Sequence, residues 1–188
     1  MKLIYRLIII GLLLTLPTYG ATLKDLDNIV RQAKPLCSLH NTICSFRVIE
    51  FPRPLAYTQY NRITLSSKTV EILTKDELKG VVFHEVAHAV LRHSEQGQSY
   101  IMNVRKSGRE PTVEELSRFR YRVEYEADRY SVILLYLYGQ RSELPSALGK
   151  MSSKSNTEES FTHPSNQDRI NKINKLQKIL SGGAIGKL

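Results

Sequence analysis

His84-Glu85-Val86-Ala87-His88 is the stretch on which the reading of this chain turns. It has the form H-E-x-x-H and sits in a segment with helical character. Residues four apart on a helix lie on one face, one turn above each other. Both imidazoles can therefore reach the same metal ion. Glu85, rotated by one residue, can hold a water bound to that metal. The flanks support the helix. Thr74-Lys75-Asp76-Glu77 fits a capping box, and its acidic side chains suit the helix dipole. Leu78, Val81, Val82, Val86, Ala89 and Leu91 follow as a broad apolar surface, which predicts a helix from near Lys75 to near Ser94. Two His at this spacing can also be ordinary helix residues, so a third ligand has to decide.

That ligand is expected on a second long helix. Thr112 to Glu115 forms another capping box after Pro111, and the helix runs to about Tyr138 before Gly139 stops it. Glu124 and Asp128 are four apart on it, so both carboxylates share a face, and Glu126 points elsewhere. Like charges one turn apart repel, and a nearby cation would explain the pair. Glu124 is then the third ligand. Asp128 accepts a hydrogen bond from the far nitrogen of a ligating His and so fixes its tautomer. The alternative is a charged helix face paired with neighbours such as Arg120 and Arg129. One Zn2+ per chain, held by His84, His88 and Glu124, would keep a position for water. Glu85 would take that water's proton and pass it to a leaving amine. His93 lies five residues beyond His88, off the ligand face, and reads as a surface or core residue. His40 has no partner that the sequence names.

The chain opens with Lys2 and Arg6, an apolar run from Leu7 to Leu16, Pro17, and small residues at Gly20 and Ala21. This layout predicts a secretory signal peptide over residues 1–20, with an uncleaved membrane anchor as the alternative. The product is expected to be periplasmic or secreted. Residues 21–182 suit one domain, and residues 183–188 are expected to be a disordered tail. The formal charge is +9, or +7 once Lys2 and Arg6 are removed. The basic residues are spread out and no nucleic-acid motif occurs, so nucleic acid is not an expected partner. Association with an anionic membrane or envelope surface remains open. Cys37 and Cys44 are expected to form a disulfide in an oxidising compartment, with two unpaired thiols as the alternative.

Leu23 to Ala33 has helical spacing and is expected to end before Pro35. Ser45–Phe51, Leu55–Tyr60 and Arg62–Ser66 read as three strands of a small antiparallel sheet. Its edge could receive an extended peptide by strand addition, or it could only cover the helix. Ser94 to Pro111 reads as a mobile connection, with or without a short helical piece, long enough to lie across a cleft. Ser142 to Leu148 reads as a short helix. Lys150 to Ser160 reads as a polar linker, and a last helix opens at Pro164.

With these pieces in place, the chain resembles the gluzincin metalloproteases. More narrowly, Glu124-Tyr125-Glu126-Ala127-Asp128 resembles the E-x-E-A-D of the branch with the CAAX prenyl proteases, the HtpX-like proteases and the periplasmic outer-membrane quality-control proteases. Phe161-Thr162-His163-Pro164 with Asp168-Arg169-Ile170 is similar to that branch's late T-H-P-x-x-x-x-R-I element. The similarity runs from roughly Val48 to Leu180. Tyr121 stands where the branch usually has an Arg, and Val86-Ala87 replaces a hydrophobic-Gly pair. Neither multiple membrane helices nor a 34-residue repeat is visible. The resemblance implies a minimal zincin-type domain, mainly helical α+β, with zinc-dependent endopeptidase activity in the cell envelope on misfolded or envelope proteins. It ranks His163 ahead of Tyr121 as donor to the developing oxyanion. Otherwise His163 would bind the metal and silence it, or cap the last helix. Rival functions are a metal-dependent chaperone or binding module with little proteolysis, and a surface-attachment protein with structural zinc. The substrate and the oligomeric state are not legible.

Overall fold

The computed structural model describes residues 20–155 and 164–182. The targeting segment apart from Gly20, the tail 183–188, His163 and residues 156–160 of the expected linker lie outside the described residues. The elements follow in the order α1 (Leu23–Leu39), β1 (Ser45–Ile49), β2 (Ala56–Gln59), β3 (Arg62–Ser66), α2 (Ser67–Ile72), α3 (Lys75–Val90), α4 (His93–Lys106), α5 (Val113–Leu137), α6 (Leu144–Ser155) and α7 (Asn166–Ser181). The protein is thus mainly helical with a small sheet, as an α+β zincin-type domain requires. No helix among the described residues is long and apolar enough to cross a membrane.

The middle of the molecule is α3. Its Thr74–Glu77 capping box is formed, with Glu77 Oε2 accepting from the Thr74 amide at 2.8 Å. Residues on every side of α3 are buried, including Leu78, Val82, Phe83, Val86 and Ala87. A helix apolar all round belongs in an interior. α1, α5, α6 and β2 all pack on α3. One continuous core joins them, with Ile29 from α1, Ile63 and Leu65 from β3, Val132 from α5, Leu144 from α6 and Ile173 from α7. Gly80 lets α6 come close, since a Cβ there would stand 2.8 Å from the Leu144 amide nitrogen. Glu77 fastens the same contact, accepting from Ser146 Oγ at 2.5 Å and Lys150 Nζ at 2.8 Å.

The sheet is mixed. β2 and β3 form an antiparallel hairpin around Tyr60-Asn61, but β1 runs parallel to β3, giving the order β1-β3-β2. The chain reverses through Pro52 and Pro54 and enters β2 on the far side of β3. Side-chain alternation fixes which face is buried and leaves the direction of the partner open. Central β3 is buried from Ile63 to Ser66, and β2 is left at an edge beside α3.

Helix boundaries depart from expectation in four places. α6 runs on to Ser155, through the start of the expected linker, and Met151 there packs against the core. α1 continues through Pro35 to Leu39, because Leu36 and Cys37 are buried and Cys37 is bonded to Cys44. Packing and the cross-link outweigh one lost backbone hydrogen bond. α3 stops at Val90, since Arg92 adopts a left-handed conformation with φ 56°. The expected mobile connection is instead largely helix α4, over His93–Lys106.

Candidate metal centre

His84 and His88 come from the middle of α3, and Glu124 comes from the α5 segment that crosses it. His84 Nε2 lies 3.1 Å from His88 Nε2 and 3.5 Å from Glu124 Oε2, and His88 Nε2 lies 3.5 Å from Glu124 Oε1. Donor atoms about 2.1 Å from a tetrahedral zinc are roughly 3.4 Å apart. The three residues form the metal-capable His/Glu cluster of the described residues.

Tautomers point the same way. His84 Nδ1 is 2.9 Å from Asp128 Oδ1, and a carboxylate only accepts, so this nitrogen carries the proton. The His84 Nε2 lone pair therefore faces the other two ligands. Buried charge gives an independent test. Glu85, Glu124 and Asp128 are buried with Arg169. With His84 neutral, as a metal ligand must be, three carboxylates against one guanidinium leave two negative charges, which a divalent cation would balance. The residues present fit zinc.

Arg169, on α7, binds Asp128 in a fork, from Nε to Oδ2 at 2.9 Å and from Nη2 to Oδ1 at 2.7 Å. Its Nη1 is 3.2 Å from Glu124 Oε2. One buried guanidinium thus orients both Glu124 and Asp128. Burial works against the Asp128 charge, but Arg169 outweighs it and holds the carboxyl below its usual range. Burial also opposes charge on His84, yet the Asp128 and Glu124 carboxylates push its pKa up to about 10. Burial, with the His84 charge adding to it, takes His88 down to about 3. In the metal-free protein a proton on His84 therefore occupies the position that suits a cation.

Glu85 lies in the same cleft. Burial raises its pKa, as suits a group that must gain and release a proton. Thr58 Oγ1 is 2.7 Å from Glu85 Oε2 and 2.9 Å from the Glu85 carbonyl oxygen. Its single O–H reaches the carboxylate from β2, so the edge strand holds the base. The cleft has a volume of about 940 Å³. β2 residues line one side, Leu144, Leu148 and Met151 of α6 line another, and the start of α7 closes an end.

Of the two expected oxyanion donors, His163 lies outside the described residues. Tyr121 is not among the residues lining the cleft, whereas Arg120, one turn before Glu124, is. His93 is buried rather than a free surface residue, and its Nδ1 is 2.9 Å from His88 Nδ1. His40 hydrogen-bonds the Tyr130 hydroxyl. Cys37 and Cys44 are disulfide-bonded. The late motif contains Arg169 but does not reveal its contact, and no pattern in the sequence points to Thr58.

Residues 22–107 match the family model described as peptidase family M48. The match runs from the N-cap of α1 past the end of α4, so it contains His84, Glu85 and His88, with Glu124, Asp128 and Arg169 beyond it. No curated protein matches the chain.

Proposed function

We propose, from the match of residues 22–107 to peptidase family M48, that the chain is an exported endopeptidase that cleaves unfolded or misfolded proteins of the cell envelope. The family implies zinc metallopeptidase activity. The observation that carries the finer reading is one cleft in which three metal-capable ligands, a buried carboxylate and the edge strand β2 lie together. An edge strand presents backbone groups in register for any extended chain, so it selects for unfolded backbone over a particular sequence. Export is supported by the disulfide, which suits an oxidising compartment. The charge of +9, or +7 once Lys2 and Arg6 are removed, suits an anionic envelope or membrane surface.

Zinc bound by His84, His88 and Glu124 would supply Lewis acidity and lower the pKa of water towards about 7. Glu85 then accepts the proton of the attacking water and returns it to the amine that leaves. Thr58 holds the Glu85 carboxylate towards the cleft. Asp128 keeps the His84 proton on Nδ1, and Arg169 keeps Asp128 and Glu124 in place. β2 aligns the peptide, and the apolar wall of α6 takes its side chains.

The test is cleavage of an unfolded protein such as reduced casein. Zinc-loaded protein should cut it internally, chelator should stop the reaction, and Glu85→Gln should lower the rate by at least about 10². Stoichiometric zinc with casein bound but uncut by wild type would instead support the chaperone or binding-module reading.

A further inference from the structure

His93 follows a break in the helix. Had α3 continued regularly, residue 93 would sit about 140° around the axis from His88 and face away. Arg92 at φ 56° turns the chain back instead. Of the described residues in α4, only His93 is buried. Its ring meets that of His88 edge-on, with centroids 4.8 Å apart and the two Nδ1 atoms 2.9 Å apart. On its other side, His93 Nε2 is 3.3 Å from Glu126 Oε2, close enough for attraction though not aligned as a formal hydrogen bond. Arg122 Nη1 holds Glu126 at 3.2 Å and is itself held through Nη2 by Gln96 of α4.

We propose that His93, backed by Glu126, is the positioning residue of the metal ligand His88. The polarity of the chain is determined from the surface inward. Glu126 can only accept, so His93 carries its proton on Nε2. The His93 Nδ1 lone pair then accepts from His88 Nδ1–H. That leaves the His88 Nε2 lone pair directed at His84 Nε2 and Glu124, where a cation would be held. Each ligating imidazole thus has its own acceptor, Asp128 for His84 and His93 for His88. The middle carboxylate of Glu124-Tyr125-Glu126-Ala127-Asp128 gains a task, since Glu124, Glu126 and Asp128 serve one site from two faces of α5. Partners of this kind fix ring orientation and raise ligand basicity.

The proposal rests on the zinc reading, and the experiment separates the two. Zinc affinity is measured by chelator competition for wild type, His93→Leu, His93→Asn and Glu126→Gln. Asn can offer its carbonyl oxygen near the position of Nδ1, whereas Leu cannot. His93→Leu should bind zinc about 10–100-fold more weakly, His93→Asn should recover most of that loss, and Glu126→Gln should lie between. The d–d absorption of the cobalt-substituted protein should shift in His93→Leu and return towards wild type in His93→Asn. A second reading needs no variant, because zinc-loaded wild type should show a nitrogen–nitrogen coupling between His88 Nδ1 and His93 Nδ1 across the hydrogen bond. Wild-type protein without stoichiometric zinc would remove the metal reading itself. Stoichiometric zinc with no such coupling, or with equal affinity and spectrum in His93→Leu, would overturn the role of His93 alone.

Discussion

Arg169 shows how much of this site depends on a single side chain. Together with the proton on His84, it permits Glu124 and Asp128 to be ionised side by side in a buried place. Arg169→Leu should therefore destabilise the metal-free protein by about 3–5 kcal/mol, the cost of leaving buried charge unpaired. Urea unfolding in the presence of chelator measures this, and a loss below about 1 kcal/mol would mean that the carboxylates find water instead. The residues that sequence made legible were those whose spacing lies within one helix. His84 with His88, and Glu124 with Asp128, are pairs four apart, and that offset puts each pair on one face. Arg169, Thr58 and His93 were not legible as site residues for a physical reason. Arg169 acts on Asp128 across 41 residues and Thr58 on Glu85 across 27, and only tertiary packing brings such positions together. His93 was placed by extending α3's period through a residue where the backbone leaves it.

That residue, Arg92, belongs to the scale of elements. It follows the C-cap of α3, where a left-handed conformation is common and glycine is the usual occupant. A side chain with a Cβ is strained there. Arg92→Gly should raise stability by about 0.5–1 kcal/mol, the gain from relieved strain exceeding the added freedom of the unfolded chain. A lower urea midpoint for this variant would contradict the assignment. The capping boxes at Thr74 and Thr112 were legible because both partners of each lie within four residues. α4 was not, since its sequence is polar on most sides and only His93 anchors it inward. The end of α1 was misplaced for the opposite reason. Pro35 is a local signal against helix, and Leu36, Cys37 and the disulfide are non-local reasons for it to continue. For the sheet, alternation located all three strands but could not reveal that β1 and β3 run the same way.

At the scale of the whole molecule, the centre is assembled from β2, α3, α5 and α7, with α6 forming the wall opposite β2. Glu77 ties that wall to α3, beside the buried Leu144, Ala147 and Leu148. The same carboxylate caps α3 through the Thr74 amide and grips α6 through Ser146 and Lys150. Burial opposes its charge, but Lys150, Ser146 and the Thr74 amide outweigh burial and hold its pKa below the ordinary 4.5. A lowered carboxyl stabilises the fold fully above 4.5, and this contribution drains away as pH falls through the folded value. Acid should therefore loosen α6 ahead of α1, and amide hydrogen-exchange protection should drop in that order. Simultaneous loss in both helices would show that Glu77 is not the weak point. The rivet shared by floor and wall then sets the order of failure. In mild acid the jaw would slacken while α1 still held, so the cleft would come open at one wall before the molecule lost its shape.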